Sequence, residues 1–245
     1  MRKRDKQIRS VSDLVKNLKR DISPSETPVW YRGHSKKEWR LLPTFARPGQ
    51  RLSEQNLIKK FKQNATLLLN PRPISDFDWL FIMQHHGVKT RLLDWTESPL
   101  TAAYFSVHKH PNADGVLWML LPVRLNEFSN IRPDFTHDIP SFEDEALKNY
   151  APASFAGEMI SKLFPVAAIA PRNSPRMQSQ LSVFTISHRD QTPIEEIGDR
   201  DHIWRYIIPK HYKDQIRKEL KLLGIDKFQL FPELSSIGEM LHGEL

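Results

Sequence analysis

Apolar residues recur along the chain at two spacings, and the alternation between them predicts most of its elements. Val11, Leu14, Val15 and Leu18 fall at i, i+3, i+4 and i+7, and Ser10 with Asp13 three residues on has the spacing of a helix-opening capping box. Ser23-Pro24-Ser25 ends that helix. Val29-Trp30-Tyr31 reads as a short strand running into Arg32-Gly33-His34, and Trp39 to Leu42 as a second extended piece ending at Pro43. Leu57, Ile58, Phe61, Ala65, Leu68 and Leu69 return to helical spacing and predict an amphipathic helix over Ser53 to Leu69, stopped by Pro71 and Pro73. Phe77 to His86 reads as a largely buried helix closed by Gly87. Thr90 to Trp95 is short and apolar. Ser98 then caps a helix over Pro99 to Val107, where proline suits the first turn.

After the turn pair Asp114-Gly115, Val116 to Val123 is the clearest strand of the chain. Arg124 to Phe164 is irregular, with a helix near Phe142 to Tyr150. Val166 to Ala170, Leu181 to Ser187 and Ile203 to Ile208 read as strands, and Lys210 to Leu223 as a closing helix stopped by Gly224. The order is helix first, then short strands among helices, then strands late, without a βαβ period. That order predicts an α+β fold. With no repeat and no Gly- or Ser-rich linker, the division expected is a basic tail and helix over residues 1–28 and one domain over 29–245. An irregular insertion occupies about residues 124–164 of it.

Composition narrows the function. The 245 residues are 39% hydrophobic and 27% charged, the balance of an ordinary globular protein. The absence of cysteine removes thiolate nucleophiles, disulfide scaffolds, Fe–S clusters and zinc ribbons together. No stretch approaches the ~20 apolar residues of a membrane span or the core of a signal peptide, so a soluble, cytoplasmic protein is expected. The formal charge is +7, but Arg2, Lys3, Arg4, Lys6 and Arg9 against Asp5 put a net +4 into the first nine residues. What remains on the body is close to an ordinary surface. Neither G-x-G-x-x-G nor G-x-x-x-x-G-K-[ST] is present among the 9 glycines, which removes the common Rossmann and P-loop readings.

Chemistry concentrates in three segments. Gln84-His85-His86-Gly87-Val88-Lys89-Thr90-Arg91-Leu92-Leu93-Asp94-Trp95-Thr96-Glu97 packs many polar groups between apolar helices, where each needs a partner. It reads either as a core stitched by an Arg91–Asp94 pair or as a ligand-facing loop. Adjacent histidines do not face one way on a helix and no H-x-x-x-H accompanies them, so no metal site is expected. One of the two is instead a donor to a ligand or a carbonyl. In Tyr31-Arg32-Gly33-His34, the arginine fork suits a phosphate or ribose and the glycine a close approach, with bonding to neighbouring carbonyls as the alternative. In Arg176-Met177-Gln178-Ser179-Gln180, two glutamines two residues apart share one side of an extended chain.

Tyr31-Arg32-Gly33, Leu42-Pro43 with Arg47, and Gln84 to Thr96 with Pro99, Ala102 and Phe105 resemble the FRG-domain family, named for its aromatic-Arg-Gly motif. Arg176 and Gln180 before Val183-Phe184-Thr185, and Leu223-Gly224-Ile225 followed by Leu230 to Leu234, agree with it. Leu181 departs from it, since the family more often has a glycine after the glutamine. The motif order is similar to that of ADP-ribosyltransferases. This resemblance implies a mixed, mainly antiparallel split sheet flanked by helices and NAD as the cofactor, with Arg32 as its clamp. It implies ADP-ribose transfer to a protein or nucleic acid, or NAD hydrolysis. Tyr31, Gly33, Gln84, Thr90, Arg91, Trp95, Thr96 and Arg176 complete the binding set, Tyr31 or Trp95 stacking on a ring. His86, Asp94 and Gln180 are the catalytic set. Gln180 falls where those enzymes carry a glutamate and keeps its hydrogen bond without its charge. Asp94, Glu97 or Glu158 is then the carboxylate to stabilise a cationic ribose. The alternative function is a non-catalytic nucleotide- or nucleic-acid-binding module using the basic tail, and a protein-interaction domain is a third.

Overall fold

A computed structural model of the chain describes residues 2–47, 49, 52–131, 138–154, 162–189 and 192–242. Among them are seven strands: β1 (Lys6–Gln7), β2 (Trp30–His34), β3 (Leu92–Thr96), β4 (Gly115–Leu120), β5 (Val166–Ala168), β6 (Ser182–Ile186) and β7 (Ile203–Ile208). They form one mixed sheet in the order β1-β7-β4-β2-β3-β6-β5. Only β1 beside β7 is parallel. The helices are α1 (Val11–Asp21), α2 (Glu54–Ala65), α3 (Asp76–His85), α4 (Pro99–Val107), α5 (Pro122–Asn126), α6 (Pro175–Ser179), α7 (Lys213–Leu222), α8 (Lys227–Leu230) and α9 (Leu234–His242). The class is α+β.

Local signals explain where the helices begin. Ser10, Ser75 and Ser98 each accept a bond from the backbone N–H three residues on, those of Asp13, Asp78 and Thr101. One sheet face carries two helical layers. Tyr31, Leu117, Met119, Trp204 and Tyr206 bury against α4, α7 and α1, while Leu92, Phe184 and Ile186 bury against Leu80, Phe81 and Met83 of α3. On the opposite face Trp30, Leu93, Trp95, Trp118 and Leu120 lie beneath loops carrying Leu41, Ile194 and Ile197. The two helical layers meet where the sheet nearly divides. β2 and β3 are paired at one position, Tyr31↔Thr96, whereas β3 with β6 and β2 with β4 run in register along their lengths.

Several elements differ from the sequence expectation for identifiable reasons. The helix expected to Leu69 stops at Ala65, and Leu67 and Leu68 stand 90% and 83% exposed with no apolar face to hold them. Trp39 to Leu42 joins no strand; the buried Leu41 amide instead donates to the Glu195 carboxylate. Pro122 opens α5 and so ends β4 at Leu120. The helix expected near Phe142 to Tyr150 is a 3-10 segment, Glu145–Tyr150. The closing helix begins as a 3-10 turn over Lys210–Tyr212 before α7.

The basic N-terminal stretch is docked on the body. β1 extends the sheet beside β7 and Ile8 is 2% exposed. Arg2 pairs with Glu26 and Asp201, Lys6 with Asp21, and Asp5 with Arg205. Two of its five basic side chains, Arg2 and Lys6, are thus answered by acids elsewhere in the fold.

Candidate functional site

β2 and β3 diverge beyond Tyr31↔Thr96, and the mouth of the split gathers the polar residues of two sequence segments. Arg32 reaches across from β2. Its Nη1 donates to the Asp94 carbonyl and lies 3.9 Å from Asp94 Oδ2. Its Nε donates to His34 Nε2 at 2.9 Å. For Nε2 to accept, the His34 proton must sit on Nδ1, which faces the Trp39 carbonyl at 3.2 Å. His34 is thus a neutral imidazole of fixed tautomer, and burial, with Arg32 beside it, pushes its pKa down to about 3. The Arg32 guanidinium is pushed down to about 10 by burial, with Asp94 opposing and Arg47 adding to the shift, and so stays charged at neutral pH.

A second chain of bonds holds the carboxylate. Thr90 Oγ1 donates to Gln84 Oε1, and Gln84 Nε2 donates to Asp94 Oδ1 at 2.7 Å. Thr90 is fixed in turn, its amide donating to Thr44 Oγ1 at 3.2 Å. Asp94 nevertheless remains open to solvent, with 54% of its side chain exposed against 18% for Arg32. Among the described residues Arg32 Nη2 has no partner, so the mouth offers two unused N–H donors beside a carboxylate oxygen. Donors of a fixed fork suit a phosphate, and a carboxylate oxygen suits sugar hydroxyls.

The remaining sequence candidates are placed elsewhere. Arg91 does not pair with Asp94: it is buried, donating to Glu54 Oε2 at 2.7 Å and to the Ser187 and Tyr150 carbonyls at 2.8 Å each. An i, i+3 pair on a strand points to opposite faces, which is why the expected partnership fails. Tyr31 and Trp95 lie in the core, 8% and 2% exposed, and cannot stack on a ligand; burial pushes the Tyr31 hydroxyl up to about 12. Gly33 serves packing: a Cβ there would stand 1.9 Å from the Ala102 carbonyl oxygen of α4.

Gln178 and Gln180 do not share an extended chain, because Ser174 caps α6 and Pro175 starts it. Gln180 is the α6 cap, its carboxamide donating to the Leu230 carbonyl and its own carbonyl accepting from Thr96 Oγ1. Leu181 has φ 46°, a left-handed conformation that favours the glycine of the family pattern. Arg176 lies over the Phe231 ring at 4.6 Å, and Glu97 pairs with Arg172. His86 ends α3 as an exposed cap whose ring is 4.9 Å from that of His85. Glu158 lies outside the described residues. His34 was not singled out, although its place two residues after Arg32 on a strand is the period-two signal of a shared face.

Residues 27–115 match the family model of the FRG domain. The chain carries an FRG domain. Its matched stretch contains β2, α2, α3, β3 and α4, and with them Arg32, His34, Gln84, Thr90 and Asp94. Arg176 and Gln180 fall beyond the FRG match. No curated protein and no solved structure matches the chain. Among the described residues no group of three His, Asp or Glu side chains is placed to hold a metal, and no helix is long and apolar enough to cross a membrane.

Proposed function

We propose that the mouth of the split in this FRG domain binds NAD or a related nucleotide, and that ADP-ribosyl transfer or NAD hydrolysis is the chemistry done there. The observation that carries this reading is the pinned Arg32 guanidinium, with Nη2 unused, beside the exposed Asp94 carboxylate that Gln84 orients. Arg32 takes a phosphate; Asp94 takes ribose hydroxyls. Loss of nicotinamide leaves positive charge on the ribose, and Asp94 is the carboxylate at the mouth that can stabilise it. Gln180, engaged with Leu230, has no part in that step. The acceptor is a protein or nucleic acid in transfer, and water in hydrolysis.

A nucleic-acid module reading loses part of its support, because two of the five basic side chains of the tail, Arg2 and Lys6, are paired with Glu26, Asp201 and Asp21. The test is a calorimetric NAD titration followed by a nicotinamide-release assay on wild type and Asp94→Asn. The account predicts that Asp94→Asn still binds NAD while release falls about 100-fold or more. Release at the wild-type rate by Asp94→Asn contradicts the assignment. Binding without release by wild type reduces the proposal to a nucleotide-binding module.

A further inference from the structure

A depression of about 440 Å³ opens on the face of the sheet that Arg32 shares, with Trp39, Arg40, Trp118, Glu195, Arg200 and Arg205 in its lining. That volume lies in the roughly 300–1,000 Å³ range of small-molecule sites. Strand register fixes its place. Arg32 is opposite Trp118 across β2 and β4, and Trp118 is opposite Arg205 across β4 and β7, so the three side chains stand in one row. The rim is joined to the mouth a second time, through Arg32 Nε to His34 and His34 Nδ1 to the Trp39 carbonyl.

Two features of this depression point to a planar ring. The five other tryptophans are at most 8% exposed, whereas Trp39 is 42% exposed, which presents an indole at the rim to solvent. Trp118 is 2% exposed and its indole N–H, buried beneath the floor of the depression, has no partner among the described residues. The indoles of Trp30 and Trp204 share that condition, but only that of Trp118 lines the depression. Most of the charges around it are already answered. Arg205 pairs with Asp5 at 2.9 Å, Lys37 with Asp114 at 2.8 Å, and Arg40 with Glu195 and Glu196. A neutralised rim disfavours a polyanion, and an exposed indole with a spare N–H donor nearby favours an uncharged heterocycle that stacks and accepts a hydrogen bond.

We propose that this depression is the ring subsite of the nucleotide whose phosphate Arg32 holds: Trp39 stacks on the base and Trp118 Nε1 donates to a ring acceptor. The proposal rests on the reading of Arg32 given above, and the experiment separates the two. ADP-ribose, which has a base, and ribose 5-phosphate, which has none, are titrated calorimetrically into the full chain as wild type, Trp39→Ala, Trp39→Phe and Arg32→Gln. The circular dichroism of each is compared. Trp39→Ala is expected to weaken ADP-ribose about tenfold or more and leave ribose 5-phosphate unchanged, with Trp39→Phe restoring most of the loss and Arg32→Gln weakening both ligands. If Trp39→Ala leaves ADP-ribose unchanged while Arg32→Gln weakens both, the ring subsite is overturned and the phosphate reading survives. If Trp39→Ala weakens both ligands alike, the indole is not reading a ring and the subsite is overturned. An Arg32→Gln variant that binds both like wild type, or a folded wild type that binds neither, overturns the Arg32 reading and the subsite built on it.

Discussion

Gly33→Ala should be among the most damaging single substitutions in the sheet, although it adds one methyl group to the strand that carries Arg32. The new Cβ would stand 1.9 Å from the Ala102 carbonyl oxygen and 2.7 Å from both the amide nitrogen and the hydroxyl of Ser106. Ordinary contact begins near 3.4 Å, so β2 and α4 must part by about 1.5 Å against a packed interior. The wedge enters where Ser106 Oγ lies 2.9 Å from the Ala102 carbonyl of its own helix and 2.9 Å from the Val116 carbonyl, the contact that ties α4 to β4. Overpacking costs about 1–3 kcal/mol and one lost hydrogen bond about 1 kcal/mol, giving about 2–4 kcal/mol. For a chain of this length that is a fall in Tm of roughly 5–15 °C. Gly87→Ala is the control: φ is +77° there but a Cβ meets nothing within 4 Å, so only the left-handed strain of about 1 kcal/mol remains. Thermal and urea unfolding of both variants reads the difference. A Gly33→Ala protein that melts with wild type, or one more stable than Gly87→Ala, refutes the packing role and returns this glycine to ligand approach.

Three further outcomes follow from buried groups. Arg91→Met leaves the Glu54 carboxylate buried without its guanidinium and should cost about 3–5 kcal/mol in urea unfolding, with Arg91→Met/Glu54→Met recovering part of it; a cost near zero for the single variant contradicts a buried ion pair. Ile8→Ala should cost about 2–5 kcal/mol if the N-terminal stretch is part of the core, and a neutral result would detach it again. Acid should destabilise the fold earlier than its carboxylates require. Burial holds His34 near pKa 3 and His188 near 4, so between those values and the ordinary ~6.5 the unfolded chain binds more protons than the folded one. Stability is then complete above about pH 7 and falls as pH drops, by up to ~1.4 kcal/mol per unit for each imidazole. The urea midpoint against pH checks this, with a shallower slope expected for His34→Asn; a midpoint constant from pH 7 to pH 5 contradicts it.

The parts of the fold legible in the sequence are those set by local chemistry. Ser10 and Ser98 open their helices because a side-chain oxygen meets an orphan N–H, and Gly87 at φ +77° closes α3. What was illegible depends on partners distant in sequence. Glu54, the true partner of Arg91, lies 37 residues away in the first turn of a helix, where an acid already has a local reason to stand. β1 is two residues in a charged stretch, paired to a strand some 200 residues later, and no local pattern announces that. For the candidate site, the motif segments identified Arg32, Gln84, Thr90 and Asp94, which the split brings together. Alternation along β2 and β3 turns Tyr31 and Trp95 into packed faces of the sheet, so neither ring is free to stack on a ligand. Gln178 and Gln180 do not follow a period of two because Ser174-Pro175, a helix-start signal present in the chain, opens α6 before them.

Truncating Arg32 would also remove bonds within the fold. Its bonds to His34 and the Asp94 carbonyl make Arg32→Gln, which keeps a polar side chain, the better probe. The most direct measurement is a calorimetric titration of NAD into wild type and Arg32→Gln, with thermal melts to establish that both are folded. The account predicts saturable binding by wild type that Arg32→Gln weakens about tenfold or more. Equal affinity in the two folded proteins, or no binding by wild type, contradicts a nucleotide site at the mouth of the split.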